Sequence, residues 1–227
     1  MSSSRLKSKL RSLPSWVLSV IGPGGSGKTA TAMHIMEHWF PESEIAIYKY
    51  PKESLLNLPQ YFRDRCVSFE SYEEIVDKPC IIFLDDTALF LLSRSTARDE
   101  NKDWVMQMTI SRHNDHRIIS TAQNTILVDK GIYESLDQYA LRCKMSYMQS
   151  MTERDTSAEL QLRINELFDD LAVGKPDIWA RGLRYCPETD EIFHFPPVPW
   201  FTDDVSKPFK GCYVSGGEIC RISRTAS

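Results

Sequence analysis

The stretch Gly22-Pro23-Gly24-Gly25-Ser26-Gly27-Lys28-Thr29 follows the apolar run Trp16–Ile21 and matches the pattern G-x-x-x-x-G-K-[ST] at every fixed position. The glycines let the backbone curl so that successive N–H groups converge on a polyphosphate. The lysine then reaches the β- and γ-phosphates, and the threonine hydroxyl holds Mg²⁺. The residues after the loop predict a helix whose buried face carries Met33, Met36, Trp39 and Phe40. We therefore expect a strand, a phosphate-binding loop and a helix that together bind ATP with Mg²⁺.

A second motif is the apolar run from Cys80 to Leu84, which ends in the carboxylates Asp85 and Asp86. A continuous apolar strand suits a sheet that is buried on both faces, and its carboxyl end is where open α/β sheets bind ligands. We expect Asp85 to bind the Mg²⁺ shell and Asp86 to orient or deprotonate an attacking water. The alternative is that the two carboxylates only cap a following helix.

A further predicted strand, Arg117–Ala122, is followed by the amide of Gln123. An uncharged amide at that edge can bond both the γ-phosphate and the attacking water, although a Gln with no role is the alternative. About 55 residues and an extra candidate strand separate Thr29 from Asp85. We therefore expect the strand before Gln123 to lie between the strand of the phosphate loop and the strand that ends at Asp85. That order defines the additional-strand class of P-loop ATPases, a three-layer α/β sandwich around a mostly parallel sheet.

The pattern divides the chain into three parts. Residues 1–14 are basic and rich in serine, and predict an arm that contacts an anionic partner or is simply solvated. Residues 15–148 form the predicted ATPase core, with its last strand around Leu141 to Met148. Residues 149–227 predict an extension with a helix from about 152 to 171 and a β-hairpin that pairs 179–185 with 192–195.

Composition excludes several classes of protein. The chain has 227 residues, a net charge of −4 and no apolar run near the roughly 20 residues of a membrane span. No secretion signal is visible at the N-terminus, so we expect a protein that is neither secreted nor integral to a membrane. The six cysteines form no C-x-x-C pair, which favours reduced thiols over disulfides or zinc. His113 and His116 lack a second ligand cluster, which favours a polar turn over a metal site.

The motifs together resemble the FtsK and HerA superfamily of DNA-pumping ATPases. The resemblance lies in the loop Gly22–Thr29, in Leu84-Asp85-Asp86 and in the segment from Arg112 to Gln123, where the Arg and the Gln stand eleven positions apart. The small size is similar to that of the genome-packaging ATPases of icosahedral viruses with an internal membrane. Asp86 departs from the superfamily pattern, because cellular members more often have Glu there.

The resemblance implies a motor that translocates double-stranded DNA and assembles as a homo-oligomeric ring. It implies that Lys28 and Thr29 hold phosphates and Mg²⁺, that Gln123 senses the γ-phosphate, and that Arg112 reaches as a finger into a neighbouring subunit. Arg117, Arg94 and Arg98 are alternatives for the finger. Any of these arginines could instead be a surface residue or a DNA contact. DNA contacts would go to the backbone, because a motor must accept any sequence.

The same resemblance implies action in the host cytoplasm and association with the virion, with capsid or membrane-vertex proteins as docking partners. Two other functions stay open from the residues. One is a nucleotide or small-molecule kinase, although a clear Arg-rich lid is missing and only Arg94 and Arg98 suggest one. The other is a nucleotide-switched assembly protein that is not a motor.

Overall fold

The computed structural model describes residues 4–85, 112–123, 138–151, 155–208, 212–215 and 218–221. Asp86, Arg94 and Arg98 lie outside these residues. The strands are β1 (Trp16–Ile21), β2 (Ile45–Tyr48), β3 (Cys66–Phe69), β4 (Ile81–Leu84), β5 (Arg117–Ala122), β6 (Gln138–Arg142), β7 (Leu183–Cys186), β8 (Glu191–His194), β9 (Cys212–Ser215) and β10 (Glu218–Arg221).

The described α-helices are α1 (Arg5–Ser12), α2 (Lys28–His38), α3 (Lys52–Leu55), α4 (Gln60–Arg63), α5 (Tyr147–Ser150), α6 (Asp155–Ala172), α7 (Asp177–Ala180) and α8 (Asp203–Ser206). Short 3₁₀ helices span Tyr72–Glu74 and Arg112–Asn114. The described part of the chain contains no helix that is long and apolar enough to cross a membrane.

Eight of the described strands form one sheet in the order β3-β2-β4-β5-β1-β6-β7-β8, and β9 and β10 form a separate antiparallel pair. The six strands from β3 to β6 in this order pair in parallel, whereas β7 and β8 continue the sheet antiparallel. Strand β5 lies between β1 and β4, as the long spacing between the two motifs predicts. The fold is therefore the predicted α/β sandwich with an additional strand.

Parallel strands place all their carboxyl ends at one edge, which we call the carboxyl edge of the sheet. The register pairs Ile21 of β1 with Ala122 of β5 and with Arg142 of β6 at this edge. The phosphate loop leaves β1 here, and Asp85 follows β4 at the same edge. The topology thus brings the two predicted motifs together although they are far apart in the sequence.

Alternate residues of the central strands enter two separate apolar clusters. Ile45 and Ile47 belong to the larger cluster, whereas Ala46 and Tyr48 belong to the smaller one, so β2 is covered on both faces. All four residues of β4 are buried. The predicted buried face of α2 is confirmed, since its two methionines are fully buried and the aromatic pair Trp39 and Phe40 is nearly so.

Residues near the N-terminus, within the predicted basic arm, form the helix α1. Its apolar positions Leu6 and Leu10 are fully buried in the larger cluster, and the basic residues between them occupy the other face of the helix. The carboxylate of Glu191 on β8 accepts hydrogen bonds from the backbone N–H groups of Arg5 and Leu6, at 2.8 Å each. The basic pattern therefore accompanies a helix that packs on the sheet.

The last parallel strand lies earlier than the sequence predicts. Strand β6 ends at Arg142, and Ser146 caps the N-terminus of α5 in a capping box that includes Gln149. Ser146 and Gln149 satisfy each other's backbone groups, which favours a helical turn over continued strand pairing. The predicted hairpin is confirmed as β7 and β8, and it extends the same sheet as the core strands.

Candidate nucleotide-binding site

The phosphate loop joins β1 to α2 and needs glycine for two reasons, backbone conformation and space. Gly27 has φ 81° and is the residue before the first turn of α2, so only glycine adopts this conformation without strain. Gly22 needs glycine for space, since a Cβ atom there would lie 2.4 Å from the Cβ atom of Cys143. These contacts give the loop the curled shape that its sequence predicts.

The loop and the start of α2 fit an anion. Among the described residues, no side chain caps the N-terminus of this 11-residue helix, and its first turn contains no acidic residue. Within the described part of the chain, the buried hydroxyl of Ser26 has no hydrogen-bond partner. Lys28 folds over the loop and donates from Nζ to the carbonyl of Pro23 at 2.9 Å. Backbone donors, a hydroxyl and an ammonium group therefore surround one space, as polyphosphate binding requires.

A hydroxyl and a carboxylate form the candidate Mg²⁺ site. Thr29 donates from Oγ1 to Oδ1 of Asp85 at 2.9 Å, which brings the two predicted metal-binding residues into direct contact. In the described residues, no group of three or more His, Cys, Asp or Glu could hold a metal by itself. Mg²⁺ in phosphate-binding sites commonly uses one or two protein oxygens together with phosphate oxygens and water. The Thr29–Asp85 pair fits that kind of site.

Thr121 on β5 is a site residue that the motifs do not identify. Its hydroxyl donates to the same Oδ1 of Asp85 at 2.8 Å, and the side chain is almost fully buried. Thr121 is the last residue but one of β5 and stands two positions before the predicted Gln123. Its place near the carboxyl end of a strand is the signal that the sequence offers. We call Asp85, Thr121 and the ends of β4 and β5 the carboxylate flank of the loop.

Tyr50 lies on the carboxylate flank, just after β2. Burial raises the pKa of its hydroxyl above the usual range, and the nearby Asp85 carboxylate raises it further. The side chain is 2% exposed, and in the described residues its hydroxyl has no hydrogen-bond partner. Tyr50 therefore remains a neutral donor beside Asp85.

The opposite side of the loop is lined by the segment after β6 and the turn between α7 and β7. We call this side, with Arg181 and Arg184, the arginine flank. Two adjoining cavities of about 290 and 440 Å³ lie here, and Ser26, Lys144 and Arg181 border both. Asp177 also borders the smaller cavity, so donors and an acceptor are both available to a polar ligand.

Amide side chains of α6 fix the segment after β6. Asn165 accepts a hydrogen bond from the backbone N–H of Met145 and donates to its carbonyl, at 3.0 and 2.8 Å. Gln161 donates to the carbonyl of Cys143 at 2.8 Å. These side chains replace the ladder partners that the segment loses beyond β6, and so hold the wall of the cavities in place.

Arg184 on β7 reaches the back of the phosphate loop. It is 2% exposed and donates from Nη2 to the carbonyl of Ser26 at 2.8 Å. Nothing in the local sequence marks this residue, because its partner in the loop lies 158 positions earlier. Only the antiparallel addition of β7 to the sheet brings the two together.

The other predicted site residues have different outcomes. Gln123 lies one position beyond β5 at the carboxyl edge, with an exposed side chain, and its sensing role remains a prediction. Asp86 lies outside the described residues, so its role in activating water also remains a prediction. Arg112 begins the 3₁₀ helix that precedes β5, which places its backbone at the opposite edge of the sheet from the loop.

His116 is a buried structural residue. Its Nδ1 accepts from the Tyr72 hydroxyl at 2.6 Å, and its Nε2 donates to the carbonyls of Ile75 and Lys78. The Tyr72 hydroxyl also accepts a hydrogen bond from Asn114. These contacts occupy both ring nitrogens and agree with the prediction of a polar turn.

Four cysteines of the described residues are free thiols, namely Cys66, Cys80, Cys143 and Cys186. Burial raises the pKa of Cys66 and of Cys186 to about 12, which keeps both thiols protonated. The expectation of reduced thiols holds for these four residues.

The fold and the loop define a P-loop NTPase core of the additional-strand class. No family model matches the chain, and no curated protein matches it in sequence. Solved structures with a similar fold include the genome-packaging NTPase B204 of Sulfolobus turreted icosahedral virus 2 bound to AMP. It is 12% identical with a TM-score of 0.46, over 82% of this chain and 98% of that chain.

Two other solved structures are similar. ATPases 2 and 3 of EssC from Geobacillus thermodenitrificans are 11% identical with a TM-score of 0.48, over 85% of this chain and 41% of that chain. The N-terminal domain of zonular occludens toxin from Neisseria meningitidis is 19% identical with a TM-score of 0.39, over 56% and 76%. Packaging NTPases, the group that the motifs resemble, are thus among the similar structures. The function is argued below from the residues of this chain.

Proposed function

We propose that this protein is an Mg²⁺-dependent ATPase that translocates double-stranded DNA and packages a viral genome into a preformed capsid. The observation that carries the ATPase part is the contact between Thr29 and Asp85 at the mouth of the phosphate loop. This contact brings together the hydroxyl and the carboxylate that a shared Mg²⁺ site would use, which supports the proposal. The DNA and packaging parts rest on the sequence resemblance.

The difference between the two flanks sets the orientation in which a nucleotide would bind. Lys28 and the Thr29–Asp85 pair lie towards the carboxylate flank, so the β- and γ-phosphates belong on that side. The nucleoside then extends towards the arginine flank, where the two cavities adjoin the loop at Ser26. Asp177 can accept hydrogen bonds there from ribose hydroxyls or an exocyclic amine, and Lys144 and Arg181 supply donors.

The proposed chemistry assigns one task to each group. Thr29 and Asp85 would hold Mg²⁺, which would neutralise the charge that develops on the phosphates during transfer. Lys28 binds the β- and γ-phosphates. Asp86 takes a proton from, or orients, the attacking water, and Gln123 contacts the γ-phosphate at the end of β5.

Arg112 supports the proposal of a ring. Strand β5 has six residues and spans roughly 20 Å, so the backbone of Arg112 lies that far from the loop edge of its own subunit. An arginine at the amino edge is badly placed to serve its own site. It is available to a neighbouring copy, in which it would neutralise the γ-phosphoryl group. Hydrolysis would then depend on assembly.

The remaining assignments follow from a motor of this kind. The DNA partner is a duplex held through its backbone, so binding falls with rising salt. The protein acts in the host cytoplasm and associates with the virion, where capsid or membrane-vertex proteins dock it.

Subunit mixing tests the proposal. The unmodified chain should hydrolyse ATP at a rate per subunit that rises with protein concentration and with added duplex DNA. Lys28→Ala and Arg112→Ala should each be inactive, the second by about 10³- to 10⁵-fold. A mixture of the two variants should regain activity, because some interfaces then combine an intact Lys28 with an intact Arg112.

Three other results would each contradict a different part of the proposal. A rate that is independent of concentration, with Arg112→Ala fully active, contradicts the ring with a finger in trans. Transfer of the γ-phosphoryl group to a nucleotide or small-molecule acceptor, unaffected by DNA, would establish a kinase instead. ATP binding without turnover would favour a nucleotide-switched assembly protein.

A further inference from the structure

Arg184 is a buried cation with only neutral acceptors among the described residues. Its Nη1 donates to the carbonyls of Arg181 and Leu183, at 2.7 and 2.6 Å, and its Nη2 donates to the carbonyl of Ser26. The fourth contact runs from Nε to the Thr31 hydroxyl at 3.0 Å. A guanidinium group at this depth normally has a carboxylate partner. Here the guanidinium charge has no carboxylate partner among the described residues, and it lies directly behind the phosphate loop.

The bond to Ser26 fixes the direction of a phosphate-binding N–H group. In a trans peptide the C=O and the following N–H point in opposite directions. Because the carbonyl of Ser26 points at Arg184, the N–H of Gly27 points away from it, into the concave side of the loop. The guanidinium group thus determines the orientation of this peptide plane.

A second peptide plane is fixed through Thr31. The Thr31 hydroxyl accepts from Arg184 and donates to the carbonyl of Gly27 at 3.1 Å, and the backbone N–H of Thr31 bonds the same carbonyl at 2.9 Å. By the same geometry, the N–H of Lys28 points towards the loop. Arg184 therefore bonds the first of these peptide planes directly. It reaches the second, which the first backbone bond of α2 also holds, through Thr31.

Gly27 also makes room for the guanidinium group. A Cβ atom there would lie 3.2 Å from Nη2 of Arg184, which is closer than most real Cβ contacts. The glycine thus serves both the positive φ of the loop and the close approach of Arg184. The missing side chain of Gly27 therefore lets the guanidinium group of Arg184 pack against the loop.

We propose that Arg184 is a positioning residue of the nucleotide site, which aims the N–H groups of Gly27 and Lys28 at the phosphates and couples the β7–β8 hairpin to nucleotide binding. The inference rests on the proposed nucleotide binding, but not on hydrolysis, DNA or ring formation. A bound polyphosphate also supplies the negative charge that Arg184 lacks among its described neighbours. In the poorly screened interior this attraction adds to the hydrogen bonds of the loop.

The test measures binding of ATP and of ADP by calorimetry, and thermal unfolding without ligand. Arg184→Lys keeps the charge but cannot reproduce the fork that reaches Ser26 and Thr31 together. We expect this variant to bind both nucleotides about 10- to 100-fold more weakly than the unmodified chain. We also expect nucleotide to slow amide exchange in the β7–β8 hairpin of the unmodified chain, and not in the variant.

A second pair of variants covers the case in which Arg184→Lys does not fold. Thr31→Val has nearly the same shape and removes only the hydroxyl link, so its nucleotide affinity should fall about 3- to 10-fold. Thr31→Ser keeps the hydroxyl and should bind as the unmodified chain does. Equal affinities for Thr31→Val and Thr31→Ser would overturn the inference.

The remaining outcomes separate a structural role from positioning. If Arg184→Lys unfolds at a lower temperature but binds nucleotide with unchanged affinity, Arg184 only stabilises the fold and the inference fails. Unchanged affinity in every variant, with normal binding by the unmodified chain, overturns the inference but not the proposed function. Failure of the unmodified chain to bind ATP or ADP overturns both.

Discussion

The carboxylate flank and the arginine flank border the same phosphate loop but present opposite chemistry. On the first, two hydroxyls converge on a single oxygen of Asp85, at 2.9 and 2.8 Å. On the second, Arg184 bonds backbone carbonyls, and Arg181 and Lys144 line open space. The first suits a cation together with the β- and γ-phosphates, and the second suits the nucleoside. The comparison implies that substitutions on the carboxylate flank alter ATP turnover, whereas substitutions on the arginine flank alter nucleotide binding.

The largest expected effect separates the flanks at Asp85. Asp85→Asn keeps the size of the side chain but removes the charge that holds Mg²⁺, so ATP turnover should fall by about 10²- to 10³-fold. Binding of ADP without Mg²⁺ should stay within a few-fold of the unmodified chain. If Asp85→Asn lowered the Mg²⁺-free affinity for ADP as much as it lowers ATP turnover, the two flanks would not have separate roles.

Thr121 gives a smaller effect on the same flank. Thr121→Val removes the hydroxyl that holds Oδ1 of Asp85, and should weaken the apparent Mg²⁺ affinity and turnover by about 10- to 100-fold. Thr121→Ser is the matched control, because it keeps the donor. Titration of turnover against Mg²⁺ measures the effect, and a Thr121→Val curve that superimposes on that of Thr121→Ser would contradict it.

On the arginine flank, Asn165 should govern stability more than chemistry. Asn165→Leu leaves the backbone N–H and C=O of Met145 without their buried partner, so the free energy of unfolding should fall by about 1–3 kcal/mol. Urea unfolding measures this. Glu166→Ala, on the exposed side of the same helix, should change stability by less than about 0.5 kcal/mol. Equal losses in both variants would mean that α6 as a whole, rather than Asn165, supports the cavity wall.

The smallest effect lies at the edge remote from both flanks. Burial lowers the pKa of His116, so the folded protein binds its proton at a lower pH than the unfolded chain does. As pH falls below about 6.5, the unfolded state gains a proton first and stability decreases, by at most about 1.4 kcal/mol per pH unit for one group. His34, whose pKa burial also lowers, adds a similar slope.

The pH effect is measured by urea unfolding of the unmodified chain and of His116→Gln between pH 7 and 5. The variant should show a shallower pH dependence, while the ratio of Mg²⁺-free ADP affinities between Asp85→Asn and the unmodified chain should not change. Parallel stability curves for the two proteins would contradict the assignment of His116.

The sequence predicts the parts of this molecule that local patterns encode. The loop from Gly22 to Thr29 requires particular residue types in consecutive positions, and the apolar run before Asp85 requires a strand buried on both faces. Their long separation predicts the position of β5 between β1 and β4, which the sheet order confirms. These features follow from short-range physical requirements that one stretch of sequence contains.

The supporting residues have weaker signals in the sequence, for different reasons. Thr121 lies near the carboxyl end of β5, beside the predicted Gln123, but no motif includes it. Arg184 has no local signature, because its partners are backbone carbonyls and the Thr31 hydroxyl, which any sequence could offer. The leucines of α1 were visible at helical spacing, yet the surrounding basic residues suggested a solvated arm.

The β7–β8 hairpin holds two elements from the first part of the chain. Glu191 binds the first turn of α1, and Arg184 binds the loop before α2. A ribosome makes both of these elements long before it makes the hairpin. During synthesis, the phosphate loop therefore lacks its hydrogen bond from Arg184 until most of the chain has emerged from the ribosome. A growing chain on the ribosome should gain its full affinity for nucleotide late, in one step, when the hairpin joins the sheet.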